Sequence, residues 1–233
     1  MIDFYYSPTP NGWKVAIALE EMALPYTVHF MKLAEGDQFK PDFLAISPNA
    51  KMPAILDRDV SGDPVPVFES GAILFYLAEK TGSFMPADLL GRKECLEWLF
   101  WQTGNQGPMA GQLSHFRNYA PDGQDYSKKR YAGEYDRNLG VLDNRLATRS
   151  YVLGDDYTIA DMMIFPWAFI AKPLGANLED FPHVADWRKR IKERPAVRKA
   201  IDLHKDRQNT DQNAGNNSLL YNQTAAHLKG GAS

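Results

Sequence analysis

Residues 2–12 read Ile2-Asp3-Phe4-Tyr5-Tyr6-Ser7-Pro8-Thr9-Pro10-Asn11-Gly12. The first five have the aliphatic and aromatic content of a short strand. The next six carry two prolines and an Asn-Gly pair, the chemistry of a turn that hands the chain to a helix. Working outward, residues 12 to 22 read as that helix and 26 to 33, from Tyr26 to Leu33, as a second strand, so the chain opens with a βαβ unit. A loop and short helix at 36 to 46 follow. Ala54-Ile55-Leu56-Asp57 and Val65-Pro66-Val67-Phe68 then form a strand pair across Ser61-Gly62-Asp63, and a helix at 70 to 80 closes on Gly82. The order βαβ then ββα is thioredoxin-like, and it assigns residues 1–83 to an α/β domain.

Beyond Pro86-Ala87-Asp88, a linker, the periodicity becomes helical without interruption by strands: 89 to 117, 126 to 148, 158 to 171, 184 to 193 and 196 to 206. A second, all-α domain is therefore expected at 88–207. Residues 208–233 are rich in Asn, Gln, Gly and Ala, with Leu219-Leu220-Tyr221 as the main apolar group, and are expected to be an extended or disordered tail.

The chain has 233 residues and a net charge of -3, with acids and bases interspersed. No broad basic face is present for nucleic acid. No apolar run has the length of a membrane span, and Met1-Ile2-Asp3-Phe4 lacks the basic start of a signal peptide, so a cytoplasmic protein is expected. The glycosylation sequons at Asn216 and Asn222 then read as coincidence. Cys95 is the only cysteine, and the five histidines have no metal-ligand spacing, so no metal is expected and any redox thiol must come from outside the chain. Leu96, Leu99 and Phe100 around Cys95 make it a packing residue.

Three stations converge on a site for a small zwitterionic, peptide-like thiol. Thr9 before Pro10 is a candidate N-cap, and the helix N-terminus beside Thr9 and Asn11 would stabilise a thiolate. The same residues are also compatible with a simple capped turn, and Ser7 offers a second hydroxyl. Met52-Pro53, if cis, would present the Met52 backbone to an extended peptide as an added strand; a trans proline opening a strand is the alternative. Glu69-Ser70 before the apolar helix would place Ser70 and its NH under a carboxylate with Glu69 near an ammonium, or would serve only as a cap. Gln38 and Lys51 add an amide and a cation on neighbouring loops.

Pro8-Thr9-Pro10-Asn11-Gly12, Ile46-Ser47-Pro48-Asn49, Phe68-Glu69-Ser70-Gly71-Ala72-Ile73-Leu74, Tyr76-Leu77-Ala78-Glu79-Lys80-Thr81-Gly82 and Trp98-Leu99-Phe100-Trp101-Gln102 occur in this order, followed by Gly107-Pro108-Met109, Gly111-Gln112 and His115-Phe116. With them the chain resembles the cytosolic glutathione transferase superfamily over residues 1 to 207, most of all the bacterial Nu-class glutathione-dependent disulfide-bond oxidoreductases. The resemblance implies catalysis by Thr9 and Asn11 and glutathione held by Asn11, Gln38, Lys51, Met52, Pro53, Glu69 and Ser70, with two glutathiones or one glutathione disulfide per site. It also implies a homodimer in which Arg130 reaches the neighbouring subunit's glutathione; by itself, within Lys128-Lys129-Arg130, this arginine reads as a solvated face. Thr158-Ile159-Ala160-Asp161 resembles the superfamily's capping box, a folding element.

The leading functional expectation is reduction of small disulfides by bound glutathione. Conjugation of electrophiles or reduction of organic hydroperoxides is the alternative enzyme reading, ranked lower because Thr9 stands where a tyrosine or cysteine would favour it. A regulatory or scaffold protein, like the related yeast nitrogen regulator of similar fold, is the non-enzyme alternative.

Overall fold

The computed structural model describes residues 1–207 and 223–229. They gather into two compact units: Met1–Leu77 with the described residues from Ala196 onward, and Ala78–Pro195. Most of the expected tail lies outside the described residues; within 223–229, Ala225–Lys229 forms a 3-10 turn.

The first unit is a mixed four-stranded sheet in the order β2-β1-β3-β4. Strand β1 (Ile2–Tyr6) pairs in parallel with β2 (Tyr26–Phe30), Phe4 opposite Val28. It pairs antiparallel with β3 (Ala54–Asp57), which in turn pairs antiparallel with β4 (Val65–Phe68). A parallel pair needs a crossover, and helix α1 (Pro10–Glu21) supplies it. The helix begins two residues before the expected start because Pro10, having no NH to leave unpaired, occupies its first position. Every residue from Gly12 to Leu19 is buried, so α1 lies within the core. Strand β2 stops at Phe30, three residues short of expectation: Met31 N still donates to Tyr6 O (2.8 Å), but the chain then turns through a 3-10 segment at Leu33–Glu35. The loop and short helix expected at 36 to 46 are both present: Gly36 turns at φ 81° into a 3-10 segment (Asp37–Phe39), and Pro41 opens the short helix α2 (Pro41–Leu44). Helix α3 (Ser70–Thr81) ends at Gly82, whose φ of 63° gives the left-handed stop that its position requires. A small cluster of Met31, Phe43 and Ala54, with Tyr5, Leu33, Ile46 and Met52 against it, supports the loops that precede β3.

The second unit is helical. Helix α4 (Leu89–Trp101) continues through a π-helical stretch, Gln102–Gln106, into α5 (Gly107–Asn118). Gly104 within this stretch loosens the backbone, and Pro108 just after it removes one NH, which is where a helix tolerates an extra residue per turn. Helices α6 (Asp125–Leu146), α7 (Ile159–Phe169) and α8 (Pro182–Lys192) follow, then α9 (Pro195–Asp202), most of which clusters with the first unit. In the helical unit α4 packs on α7, α5 on α6, and α6 on α8. Helix α7 is buried on all sides from Ile159 to Ala168 and forms its centre. Cys95 is fully buried, and burial, reinforced by the Asp161 carboxylate, pushes its thiol up to about 12. A thiol held neutral in this way is not a nucleophile.

Candidate functional site

At the N-terminus of α1, Thr9 has extended backbone (φ -123°, ψ 161°) and its Oγ1 accepts the NH of Gly12 at 3.2 Å, a standard N-cap. The Thr9 hydroxyl proton is directed at a sulfur: Met52 Sδ lies 3.9 Å away. The competing hydroxyl, Ser7, is 2% exposed and donates inward to Met31 O at 2.6 Å. Of the two hydroxyls, Thr9 is therefore the one placed to meet an incoming group. Gly12 has to be glycine, because a Cβ there would come within 2.3 Å of Ser7 O. Asn11 is half-buried in the first helical turn.

The Met52–Pro53 bond is cis. Pro53 is buried, and Met52 is half-buried against the Met31, Phe43 and Ala54 cluster, which fixes the sulfur beneath Thr9. The loop before it is tightly held: Ala50 turns at φ 53°, its NH donates to Ser47 O (2.9 Å), and Ser47 Oγ donates to Lys51 O (2.8 Å). The Lys51 side chain is exposed.

Glu69 has a φ of 69°, a left-handed conformation that costs a non-glycine residue about 1 kcal/mol or more. That turn starts α3: Glu69 O accepts the NH of Ile73 at 2.9 Å. The exposed Glu69 carboxylate accepts Asn49 Nδ2 at 3.2 Å, which ties the loop before Lys51 to the start of α3. Ser70 is buried, and its Oγ accepts Lys14 Nζ at 3.4 Å. Lys14 is itself 2% exposed. Burial lowers its pKa to about 7 against the opposing pull of the Glu69 carboxylate.

Gln38, in the turn held by Lys40–Asp37 (2.6 Å) and by Lys32 N to Asp37 Oδ2 (2.8 Å), is 1% exposed. Neither its Oε1 nor its Nε2 has a partner among the described residues. A buried amide left without hydrogen bonds costs about 1–3 kcal/mol, so this side chain is suited to an amide-bearing ligand.

Side-chain contacts thus link Thr9 to Met52, the loop before Lys51 to Glu69, and α1 to Ser70. Arg130 belongs to the helical unit. It is exposed on α6 and paired with Glu134 at 2.6 Å. Sequence reading passed over two participants. Asn49 lay in a quoted motif without a role. Lys14 stood inside Trp13-Lys14-Val15-Ala16-Ile17, where a lone charge in an apolar run was the available signal. The arrangement provides a helix N-terminus facing a sulfur, a backbone edge, and a second helix N-terminus flanked by an acid, the complement of a thiol, an amide and an amino-acid head group.

Residues 2–79 match the model of the glutathione S-transferase N-terminal domain and residues 109–195 that of its C-terminal domain. The chain belongs to the glutathione S-transferase family, a family of enzymes. Among its relatives is the disulfide-bond oxidoreductase YfcG of Escherichia coli, 45% identical over 203 residues that cover 86% of this chain and 94% of the relative. A glutathione transferase from Burkholderia graminis, solved with two glutathione molecules per subunit, is 44% identical with a TM-score of 0.82, covering 88% of each chain. One from Pseudomonas putida, solved with one glutathione disulfide per subunit, is 39% identical with a TM-score of 0.80, covering 87% of this chain and 91% of the other.

Proposed function

We propose that this protein is a glutathione-dependent disulfide-bond reductase of the Nu class, working as a cytoplasmic homodimer on small disulfides. The observation that carries this reading is the open Thr9 cap at the N-terminus of α1, whose first turn holds no acid, while the chain's own thiol, Cys95, is sealed and neutral. The reacting thiols are then the substrate's. Names and ligands of the similar proteins support the same reading, since one is a disulfide-bond oxidoreductase and two hold paired or oxidised glutathione.

In the proposed site the α1 N-terminus, with Thr9 and Asn11, stabilises the glutathione thiolate. Gln38, Lys51 and the Met52–Pro53 backbone hold the peptide, Ser70 with the α3 N-terminus receives the glutamyl carboxylate, and Glu69 receives its ammonium. The thiolate attacks one sulfur of R–S–S–R′, forming a mixed disulfide and expelling R′–S⁻, which takes a proton from water. A second glutathione thiolate attacks the glutathione sulfur of that intermediate, releasing R–S⁻ and glutathione disulfide; two thiols are oxidised as one disulfide is reduced.

The domain division at 1–83 and 88–207 belongs to the same proposal. So does the homodimer, in which Arg130 would serve the neighbouring subunit's glutathione. Exposed apolar side chains on α4 favour self-association: Leu89 is 81% and Phe100 70% exposed. The test compares steady-state rates with hydroxyethyl disulfide and with a chlorodinitrobenzene-type electrophile. Reduction should exceed conjugation by about tenfold, roughly 1.4 kcal/mol in the barrier. Faster conjugation would replace the reductase reading by the transferase one, and glutathione binding without either activity would replace it by a regulatory protein.

A further inference from the structure

Lys14 is out of place by every ordinary rule for lysine. It sits on a helix buried all round, its ammonium does not reach water, and it spends a hydrogen bond on Ser70 Oγ across 56 residues of sequence (3.4 Å). Burying an ammonium is costly, and an apolar residue of the same length would fill the space without that cost. The position of its head group is therefore its distinguishing property: directly behind the residue that opens α3, next to the left-handed turn at Glu69.

We propose that Lys14 is a positioning residue that holds Ser70 and the α3 N-terminal turn in register with α1, and that it serves as the internal counter-charge for a ligand carboxylate docked on that turn. The inference rests on the glutathione reading of the site. Among the described residues, the Glu69 carboxylate faces Lys14 from outside its own helix; it favours the ammonium form but is exposed and also engages Asn49. On α1 the nearest acids, Glu20 and Glu21, lie at the far end, where Glu20 pairs with Lys199 at 2.8 Å and Tyr26 at 2.5 Å. Complete burial, opposed by the Glu69 carboxylate, brings the lysine of the free protein to about 7. A second carboxylate arriving at Ser70 favours the ammonium and draws in a proton. Binding is thereby coupled to pH, and affinity falls as pH rises from about 6.5 to 8.

The test uses S-methylglutathione, which has no ionisable thiol, with the full-length protein. Binding is measured by calorimetry at pH 7.5 in two buffers of different ionisation enthalpy. Wild type should take up a fraction of a proton on binding. Lys14→Met should bind about tenfold more weakly at pH 6.5, with no lysine-dependent uptake and with affinity nearly flat across that pH range. Wild-type binding without proton uptake overturns the counter-charge role and leaves the glutathione site standing, and so does a Lys14→Met protein with unchanged affinity and uptake. The wild-type measurement decides the matter even if the variant fails to fold. Failure of the wild type to bind overturns both readings, whereas binding without disulfide reduction removes the reductase assignment and leaves Lys14 in its role.

Discussion

Two helices of this protein begin on a threonine cap, and they use it for opposite ends. At Thr158-Ile159-Ala160-Asp161 the third helical position is an acid, and the box closes. Asp161 is fully buried and accepts Thr158 N (3.0 Å), Thr158 Oγ1 (3.3 Å), Val152 N (2.9 Å) and Trp187 Nε1 (2.8 Å). At Thr9-Pro10-Asn11-Gly12 the same position is glycine, and the box stays open. The cap hydroxyl takes one NH and turns its proton to a sulfur, and no acid stands where an anion would dock. The comparison teaches that the residue three places after the cap decides whether a helix N-terminus is consumed by folding or left for a ligand.

The strongest way to break the closed cap is Asp161→Ala. It strands the Trp187 indole NH and two backbone NH groups in the core, and unfolding free energy should drop by about 3 kcal/mol or more. A lower urea midpoint at unchanged slope would register this; a loss under about 1 kcal/mol would mean that the network is not what holds α7. Near the open cap the matching liability is Lys14. Its folded pKa of about 7 lies below the ordinary 10.5, so the unfolded chain binds more protons between these values. The contribution of this group is fully present above about pH 10.5 and is lost as pH falls through 7. Lys14→Met should remove that dependence and be more stable than wild type at neutral pH, by on the order of 2 kcal/mol. Urea midpoints at pH 7 and 9.5 compare the two proteins, and a variant less stable at pH 7 would contradict the costly-ammonium account.

What was legible in the sequence tracks how local its cause is. The succession of strands and helices in the first unit, the start of α3 at Ser70 and the Thr158 cap follow from residues within a few positions of each other, and the fold agrees with that reading. The loop and short helix at 36–46 likewise have their signals close at hand, in Gly36 and Pro41, which turn and restart the chain. The π-helical stretch at Gln102–Gln106 lies inside the helical segment expected at 89 to 117 and was not separated from it, because a glycine announces weakness without fixing its geometry. The choice between Ser7 and Thr9 depended on the Met31 carbonyl 24 residues away. Lys14 had only its lone charge as a signal, for the same kind of reason: α1 is buried from Gly12 to Leu19, so periodicity could not mark which of its side chains point to Ser70.

Thr9→Ala sharpens the comparison from the open side. The cap hydrogen bond to Gly12 N is lost, so stability should fall by about 1 kcal/mol, far less than at Asp161. The rate of disulfide reduction should fall disproportionately, because the hydroxyl proposed to stabilise the bound thiolate is lost with the cap. Thr9→Ser retains the hydroxyl and should restore most of that rate. A rate loss in Thr9→Ala that merely follows its stability loss would reduce Thr9 to a second folding cap.

The smallest effect is expected at Cys95, next to the closed cap. Its thiol is fully buried, and the proximity of the Asp161 carboxylate reinforces the neutral form. Cys95→Ala removes one buried sulfur from a packed core, so a stability loss of about 1 kcal/mol follows from the lost contacts and the small cavity. Disulfide reduction by glutathione should be essentially unchanged, because neither attack in the exchange uses a protein thiol. A folded Cys95→Ala protein that no longer reduces hydroxyethyl disulfide would make the sealed helical unit, and not the open cap of α1, the seat of the chemistry.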